Sequence, residues 1–205
     1  LLVGRTLDGA PPHIRGEFLP RLISGEIVGS FATSEPEAST DLSAAAMRTR
    51  ATAVTGGYRL NGRKRWITNS CAADIMTVLC VVGDSQAMFL VDMHADGVWV
   101  AEPDLKMGNR VQLTSDVEFT DVFVPDEHVI AVPGGGLSTA LASLAMGRIG
   151  VAAMGVGMGQ CAFDHALRHM RQRSAFGSKL GGFQHWQFRF AEHAIALESA
   201  RSLYQ

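Results

Sequence analysis

The sequence has few cysteines, no excess of charge of either sign and no visible secretory signal. Its three cysteines, Cys71, Cys80 and Cys161, lie far apart and form no Cys-x-x-Cys pair. This arrangement argues against a zinc site or a disulfide framework and favours a reducing compartment. Lysine and arginine number 18 against 20 acidic residues. A balance this even argues against nucleic acid or an anionic membrane surface as a partner.

Charged residues are especially scarce between residues 129 and 163, where Arg148 is the only one. A transmembrane helix needs about 20 mostly apolar residues. This stretch, however, contains Pro133, three glycines at residues 134–136 and a central arginine that would be costly at bilayer depth. We therefore expect a helix that is buried inside a protein or an oligomer core, and no membrane-spanning segment.

Short apolar runs with the spacing of β-strands occupy residues 26–128. Asn61-Gly62 lies between two such runs and predicts a β-hairpin turn, because both residue types tolerate positive φ. Upstream of these runs, residues 10–24 predict a short helix that is closed by Ser24-Gly25. Residues 26–128 are therefore expected to form a β domain of short strands.

Helical spacing begins after Pro133–Gly136, which we interpret as a linker because no P-loop lysine follows it. Apolar residues recur at helical intervals over residues 149–170 and 183–197, with a glycine-containing break between the two stretches. This pattern predicts a hairpin of two long helices. Because the helices follow the strands instead of alternating with them, the predicted class is α+β, with short antiparallel strands followed by a helical hairpin.

Two motifs in the helical part resemble known sites but lack the context of those sites. Gly157-Met-Gly159-Gln-Cys-Ala162 matches a dinucleotide fingerprint, yet no strand-like run precedes it and no acidic residue lies about 20 residues further on. His165 and His169 have the spacing of a metal-binding pair but no third ligand at a suitable spacing. We interpret the glycines as helix-packing residues and the histidines as part of a solvated face, and we expect no metal site.

Three polar segments are candidates for a functional site. Phe31–Asp41 is a hydroxyl-rich loop after a strand-like run, and such a loop can hydrogen-bond a phosphate or the edge of a flavin. Trp66–Asn69 places a large aromatic side chain beside a hydroxyl. Arg173–Leu180, followed by Phe183-Gln184, places a cation and an aromatic side chain at a helix end, which suits pyrophosphate and adenine. Taken singly, each segment is explained more simply as a surface loop, a core tryptophan or a basic helix end.

In this order, the segments resemble the acyl-CoA dehydrogenase family over essentially the whole chain. Leu60–Asn69, followed by Ala73-Asp74, is similar to the family's LNGxKxWITN…AD signature. Phe31–Asp41 is similar to its TEPxAGSD loop, and Phe119–Pro125 is similar to its FxxVxVP strand. The resemblance implies the tail of an N-terminal helical domain at residues 1–25, a middle β domain at 26–132, and the first part of a four-helix C-terminal domain at 133–205.

The resemblance also implies a bound FAD between the β domain and the C-terminal helices. Carried over by position, the residues that would contact this FAD are Phe31, Thr33, Ser34, Ser39, Thr40, Trp66, Ile67 and Thr68. The Thr68 hydroxyl would lie near flavin N5. Those that would reach the FAD of a neighbouring subunit are Arg173, Phe176 and Gln184, whereas Thr40 and Arg148 would face an acyl-CoA substrate. Ser39 stands where the family has glycine, so its Cβ would lie where the backbone approaches the ligand.

The implied reaction is α,β-dehydrogenation of an acyl-CoA thioester. A glutamate would remove the α proton, flavin N5 would accept the β hydride, and electrons would pass to an electron-transfer flavoprotein. The family's usual glutamate is expected beyond Gln205, and the alternative position, immediately before Arg148, is occupied by Gly147. The resemblance further implies a homotetramer or homodimer, in the cytoplasm of a bacterium or in the mitochondrial matrix of a eukaryote.

Two alternative functions fit the same motifs. One is a flavin-dependent oxidase or monooxygenase on the same fold, which would be indicated by rapid reoxidation of the reduced flavin in air. The other is a non-catalytic relative that binds CoA or flavin, which would be indicated by later helices that lack a glutamate.

Overall fold

The computed structural model describes residues 1–38 and 41–204. The elements follow one another along the chain as α1 Leu2–Asp8, α2 Pro12–Ser24, β1 Gly29–Ala32, β2 Arg50–Val54, β3 Gly57–Thr68, β4 Ile75–Val82, β5 Ser85–Asp92, β6 Val98–Val100, β7 Thr114–Pro125, β8 Val129–Ala131, α3 Gly136–Gln172, β9 Ser174–Ala175, β10 Ser178–Lys179 and α4 Gln184–Ser202. Two compact units divide the chain, Leu1–Met146 and Gly147–Gln205, and their boundary falls inside α3.

The first unit is built on a mixed β-sheet. Within the described residues this sheet has eight strands in the order β6-β7-β3-β2-β4-β5-β8, with β1 paired to β4. Both β4 and β5 are buried along almost their whole length, so their sequences are continuous apolar runs and not alternating patterns. The α+β class is confirmed. The sheet is not purely antiparallel, because β1 and β2 run parallel to β4 and long connections allow that pairing.

The predicted turn at Asn61-Gly62 is wrong. β3 continues without a break from Gly57 to Thr68, and the turn before it lies at Thr55-Gly56, where Gly56 has a φ of 79°. Gly62 is needed for another reason. Its φ is 144°, and a Cβ on it would lie 2.5 Å from the Cα of Thr49. The glycine therefore permits a close backbone approach within a long strand.

The two faces of the central strands pack into separate apolar cores. Val78 and Cys80 of β4 belong to the core that includes side chains of β3 and β7, whereas Leu79 and Val81 pack in the core that includes α1 and α2. This alternation is the period-two geometry of a strand. At the C-terminus of α2, Gly25 has a φ of 78°, so the predicted helix end is confirmed and has a left-handed cap.

In the second unit, α3 and α4 form the predicted helical hairpin. The two helices are joined by a connection in which β9 and β10 pair, and the Phe163 and Phe190 rings meet with centroids 5.2 Å apart. A Cβ on Gly159 would lie 2.9 Å from the Cδ2 of Leu197. Gly159 therefore allows α4 to approach α3 closely, and it lies inside a helix where a dinucleotide-binding turn cannot form.

The length and composition of α3 would allow it to cross a membrane. An 18-residue window of this helix has a mean hydropathy of 1.5, and 11% of that window is buried. Arg148 also lies in the helix and is exposed. The expectation that protein covers α3 stays a prediction.

A buried ion pair joins β3 to the segment that follows β1. Lys64 and Glu35 have fully buried side chains, and Lys64 Nζ lies 2.7 Å from Glu35 Oε1. Glu35 also accepts hydrogen bonds from the backbone N–H groups of Arg48, at 2.5 Å, and Thr49, at 3.1 Å. Desolvation raises the pKa of Glu35, but the Lys64 ammonium and these hydrogen bonds outweigh it, so the pKa lies below its ordinary value. Each charged group thus requires the other, because removing either one would leave the remaining charge buried and unpaired.

Replacing Lys64 by Met is expected to lower the free energy of unfolding by about 3–5 kcal/mol, because the Glu35 carboxylate would stay buried without its cation. The exposed Arg21–Glu26 pair has the same N···O distance of 2.7 Å and provides the control. Arg21→Met should cost less than about 1 kcal/mol. Urea denaturation measures the free energy of unfolding of both variants. Equal losses of this free energy would contradict the conclusion that the buried pair matters more than the exposed one.

Candidate functional site

A β-bulge determines the position of Trp66. The pairing register between β3 and β7 shifts between Lys64 and Ile67, and Trp66 has a φ of 58°. Positive φ is strained for a bulky residue and costs about 1–3 kcal/mol. Asp116 on β7 stabilises this conformation, since its Oδ1 accepts a hydrogen bond from Trp66 N at 3.3 Å and its Oδ2 accepts one from Arg63 at 2.7 Å. The bulge leaves the Trp66 side chain 59% exposed.

Strand β1 and the segment after it lie directly beside this bulge. The Ser30 hydroxyl donates to the Thr68 carbonyl at 2.6 Å, and the backbone N–H of Arg65 donates to the Ser34 carbonyl at 2.9 Å. Lys64 Nζ also donates to the Thr33 carbonyl at 3.3 Å. Two segments that are more than 30 residues apart in sequence are thus held side by side.

Asp74, the acidic residue that follows the tryptophan motif in the sequence, holds the start of β1 in place. Its carboxylate accepts a hydrogen bond from Val28 N at 2.7 Å, and its own backbone N–H donates to the Val28 carbonyl at 2.9 Å. The hydrogen bond from Val28, followed by weaker contributions from His94 and Arg21, keeps the pKa of Asp74 below its ordinary value. The carboxylate is therefore ionised at neutral pH and ties β1 to the start of β4.

Together these segments form an open groove of about 830 Å³. This volume is within the range of small-molecule sites, about 300–1,000 Å³. Six of the predicted cofactor residues line it: Phe31, Thr33, Ser34, Trp66, Ile67 and Thr68. Two further predicted residues, Ser39 and Thr40, lie outside the described residues.

Other residues of the groove were not predicted from the sequence. One end is apolar and is lined by Leu22, Ile23 and Ile27, and Gln112 lies near Thr68 at the polar end. The apolar residues belong to α2 and the segment after it, where they look like ordinary core positions. Gln112 lies in a connection without a recognisable motif, so only the pairing of β7 with β3 brings it to the groove.

The second unit holds the other predicted residues. Arg173 follows α3, Phe176 lies in the β9–β10 turn with a φ of 51° and is 97% exposed, and Gln184 begins α4. These three residues therefore share one connection, which is closed by a hydrogen bond from Leu180 N to the Arg173 carbonyl at 2.9 Å. Arg148 is not part of that cluster, because it lies about 36 Å further back along α3 at 1.5 Å per residue.

The polar end of the groove has the features that a flavin requires. Hydroxyl groups of Thr33, Ser34 and Thr68 can hydrogen-bond the nitrogen and oxygen edge of an isoalloxazine, and the exposed Trp66 ring can pack against a planar system. The Arg65 guanidinium lies 5.1 Å from the centroid of the Trp66 ring. Within the part of the chain that the structure describes, the buried Arg65 Nε has no hydrogen-bond partner. The donor set therefore fits an aromatic ligand with polar edges.

Comparison with known proteins gives consistent matches along the chain. The family model described as "Acyl-CoA dehydrogenase, middle domain" matches residues 30–122, and that described as "Acyl-CoA dehydrogenase, C-terminal domain" matches residues 134–205. The mouse mitochondrial short-chain specific acyl-CoA dehydrogenase is 35% identical over 208 residues, covering 99% of this chain and 50% of the relative. The chain thus spans about half the length of the curated relatives it matches.

Solved structures agree with the sequence matches. Butyryl-CoA dehydrogenase from Megasphaera elsdenii superposes with a TM-score of 0.93 at 32% identity, covering 99% of this chain and 54% of that one. A glutaryl-CoA dehydrogenase from Mycobacterium smegmatis in complex with FADH2 superposes with a TM-score of 0.85 at 29% identity, covering 95% and 50% of the two chains. Both domain models, the curated relatives and these folds point to one assignment: the chain belongs to the acyl-CoA dehydrogenase family.

Proposed function

We propose that the protein catalyses FAD-dependent α,β-dehydrogenation of an acyl-CoA thioester and passes the electrons to an electron-transfer flavoprotein. The observation that carries this proposal is the groove in which Phe31–Ser34 and Trp66–Thr68 lie side by side. The two segments come from different parts of the sequence and contain the residues that the family resemblance assigns to the flavin. Membership of the family supports the reaction type.

FAD would supply the acceptor for the β hydride. The chain's own residues would bind and orient the flavin: the hydroxyls of Thr33, Ser34 and Thr68 by hydrogen bonds, and Trp66 by packing against the ring. Ile67, which is 3% exposed, would help exclude water from one side. Ser39 and Thr40 are assigned to the same cofactor by the resemblance alone.

The substrate and the partners are assigned by the resemblance. Thr40 and Arg148 would face the acyl-CoA, and the general base would be a glutamate beyond Gln205, because Gly147 cannot act as a base. Arg173, Phe176 and Gln184 would contact the FAD of a second subunit in a homotetramer or homodimer. The protein would act in the cytoplasm of a bacterium or in the mitochondrial matrix of a eukaryote.

The full-length protein provides the direct test of the activity. Purified protein should carry FAD absorbance, and anaerobic addition of a suitable acyl-CoA should bleach it and yield a 2,3-enoyl-CoA, with a dye as terminal acceptor. A panel of acyl-CoAs covers chain length and branching, and free CoA is the control. No FAD absorbance even after FAD is added would contradict the proposal. Rapid reoxidation by air would instead favour an oxidase.

Arg173→Ala is expected to weaken FAD binding about 10- to 100-fold, which corresponds to the loss of a charged hydrogen bond worth about 1.5–3 kcal/mol. Acyl-CoA affinity should change less, because the proposed partner of Arg173 is the pyrophosphate. Arg171→Ala, which changes an exposed arginine two residues earlier at the end of α3, is the matched control. Fluorescence titration of the FAD-free protein measures both variants. Equal FAD affinities for the two variants would refute the assignment.

Asp116→Ala is expected to weaken FAD binding about fivefold, because the variant loses the acceptor for Trp66 N and lets the strained bulge relax. Asp116→Asn retains an amide oxygen for Trp66 N and removes the charge next to Arg63. This variant should therefore retain more of the affinity than the alanine variant. The same titration measures both variants, and wild-type affinity in the alanine variant would show that the bulge does not position the flavin.

A further inference from the structure

Gln112 makes a side-chain contact with Thr68 at the polar end of the groove. Its Nε2 donates a hydrogen bond to Thr68 Oγ1 at 3.3 Å, and both residues line the groove together with Trp66. Gln112 and Thr68 are 44 residues apart in sequence. The contact therefore depends on the fold and not on a local motif.

Backbone hydrogen bonds hold the segment that carries Gln112 beside the end of β3. Asn69 N donates to the Leu113 carbonyl at 2.9 Å, and Gln112 N donates to the Asn109 carbonyl at 3.1 Å. Lys106 Nζ donates to the Gln112 carbonyl and, at 2.9 Å, to Thr114 Oγ1. These contacts restrain the backbone on both sides of Gln112, so its side chain starts from a fixed position next to Thr68.

The direction of the Gln112–Thr68 hydrogen bond determines what the Thr68 hydroxyl can do. An amide N–H group is a donor only, so Thr68 Oγ1 acts as the acceptor in this bond. The hydroxyl's own proton then remains available for a second partner. Hydrogen bonds in such chains polarise one another, which strengthens the bond that the hydroxyl donates.

We propose that Gln112 is a positioning residue that, through Thr68, directs the Thr68 hydroxyl proton toward the flavin. This inference rests on the proposed function, because it requires FAD in the groove. The N5 atom of oxidised flavin is a hydrogen-bond acceptor, which matches a hydroxyl that is held as a donor. Gln112 acts on the ligand through Thr68 and is not itself a catalytic residue.

A double-mutant cycle between residues 112 and 68 tests this inference in the full-length protein. Gln112→Leu removes the amide donor at similar size, and Thr68→Val removes the hydroxyl at similar shape. FAD affinity is measured by fluorescence titration, the flavin absorption maxima by spectroscopy, and the stability of the FAD-free form by thermal denaturation. Val111→Leu, on the same connection and exposed, is the matched control.

Gln112→Leu is expected to weaken FAD binding about fivefold, as for the loss of one hydrogen bond, and to shift the flavin absorption maxima. In the Thr68→Val background the same change should have no further effect on either quantity, because the two residues act as one unit. The melting temperature of FAD-free Gln112→Leu should match that of the Val111→Leu control.

Two outcomes would overturn the inference. Additive effects of the two substitutions on FAD binding would show that Gln112 does not act through Thr68. An unchanged flavin spectrum in Gln112→Leu would show that it only supports the connection. A wild-type protein that binds no FAD would overturn the proposed function, and with it this inference, so the two failures can be told apart.

Discussion

The buried pair of Lys64 and Glu35 is the interaction on which the groove depends. Glu35 directly follows the hydroxyl-bearing segment that includes Ser34, and Lys64 lies two residues before Trp66, so one 2.7 Å contact links both walls of the groove. Desolvation of two charges costs several kcal/mol each, and apolar replacements of such pairs are often as stable. A gain in folding free energy alone therefore does not explain why two charged residues are buried at this position. The Glu35 carboxylate is also bonded to Lys64, Arg48 N and Thr49 N, and this directional set of bonds fixes the position of the segment that carries Ser34 relative to β3.

Two of the described non-glycine residues with positive φ lie at the same place. Trp66 and Asn69 both have positive φ, at 58° and 63°, although neither is glycine. Such conformations persist where surrounding contacts over-determine them. The contacts of Asp116 with Trp66 and Arg63 do this on one side, and the hydrogen bond from Asn69 N to the Leu113 carbonyl does it on the other. The bulge thus turns a large aromatic side chain out of the sheet, where a ligand can meet it.

Some of this architecture could be predicted from the sequence because it depends on local patterns. Helical spacing and the glycine at residue 25 were sufficient to predict α2, α3 and α4 and one of their ends, but not α1. The turn at Asn61-Gly62 was predicted wrongly, because the pairing of β3 with β7 and the approach of Thr49 override a local preference for a turn. Gln112 could not be predicted at all, since its partner Thr68 is 44 residues away.

The length of α3 limits which ligands Arg148 and Arg173 can share. Arg148 lies about 36 Å along α3 from Gln172, the last residue of that helix, since each residue contributes 1.5 Å, and Arg173 follows directly. A helix keeps this separation whatever its surroundings, so the two guanidinium groups of one chain cannot meet at one phosphate or carboxylate. An assignment that gives both arginines of the same chain to one headgroup is therefore excluded. The division suggested by the family resemblance, with Arg148 toward the substrate and Arg173 toward the cofactor of another subunit, satisfies this geometric constraint.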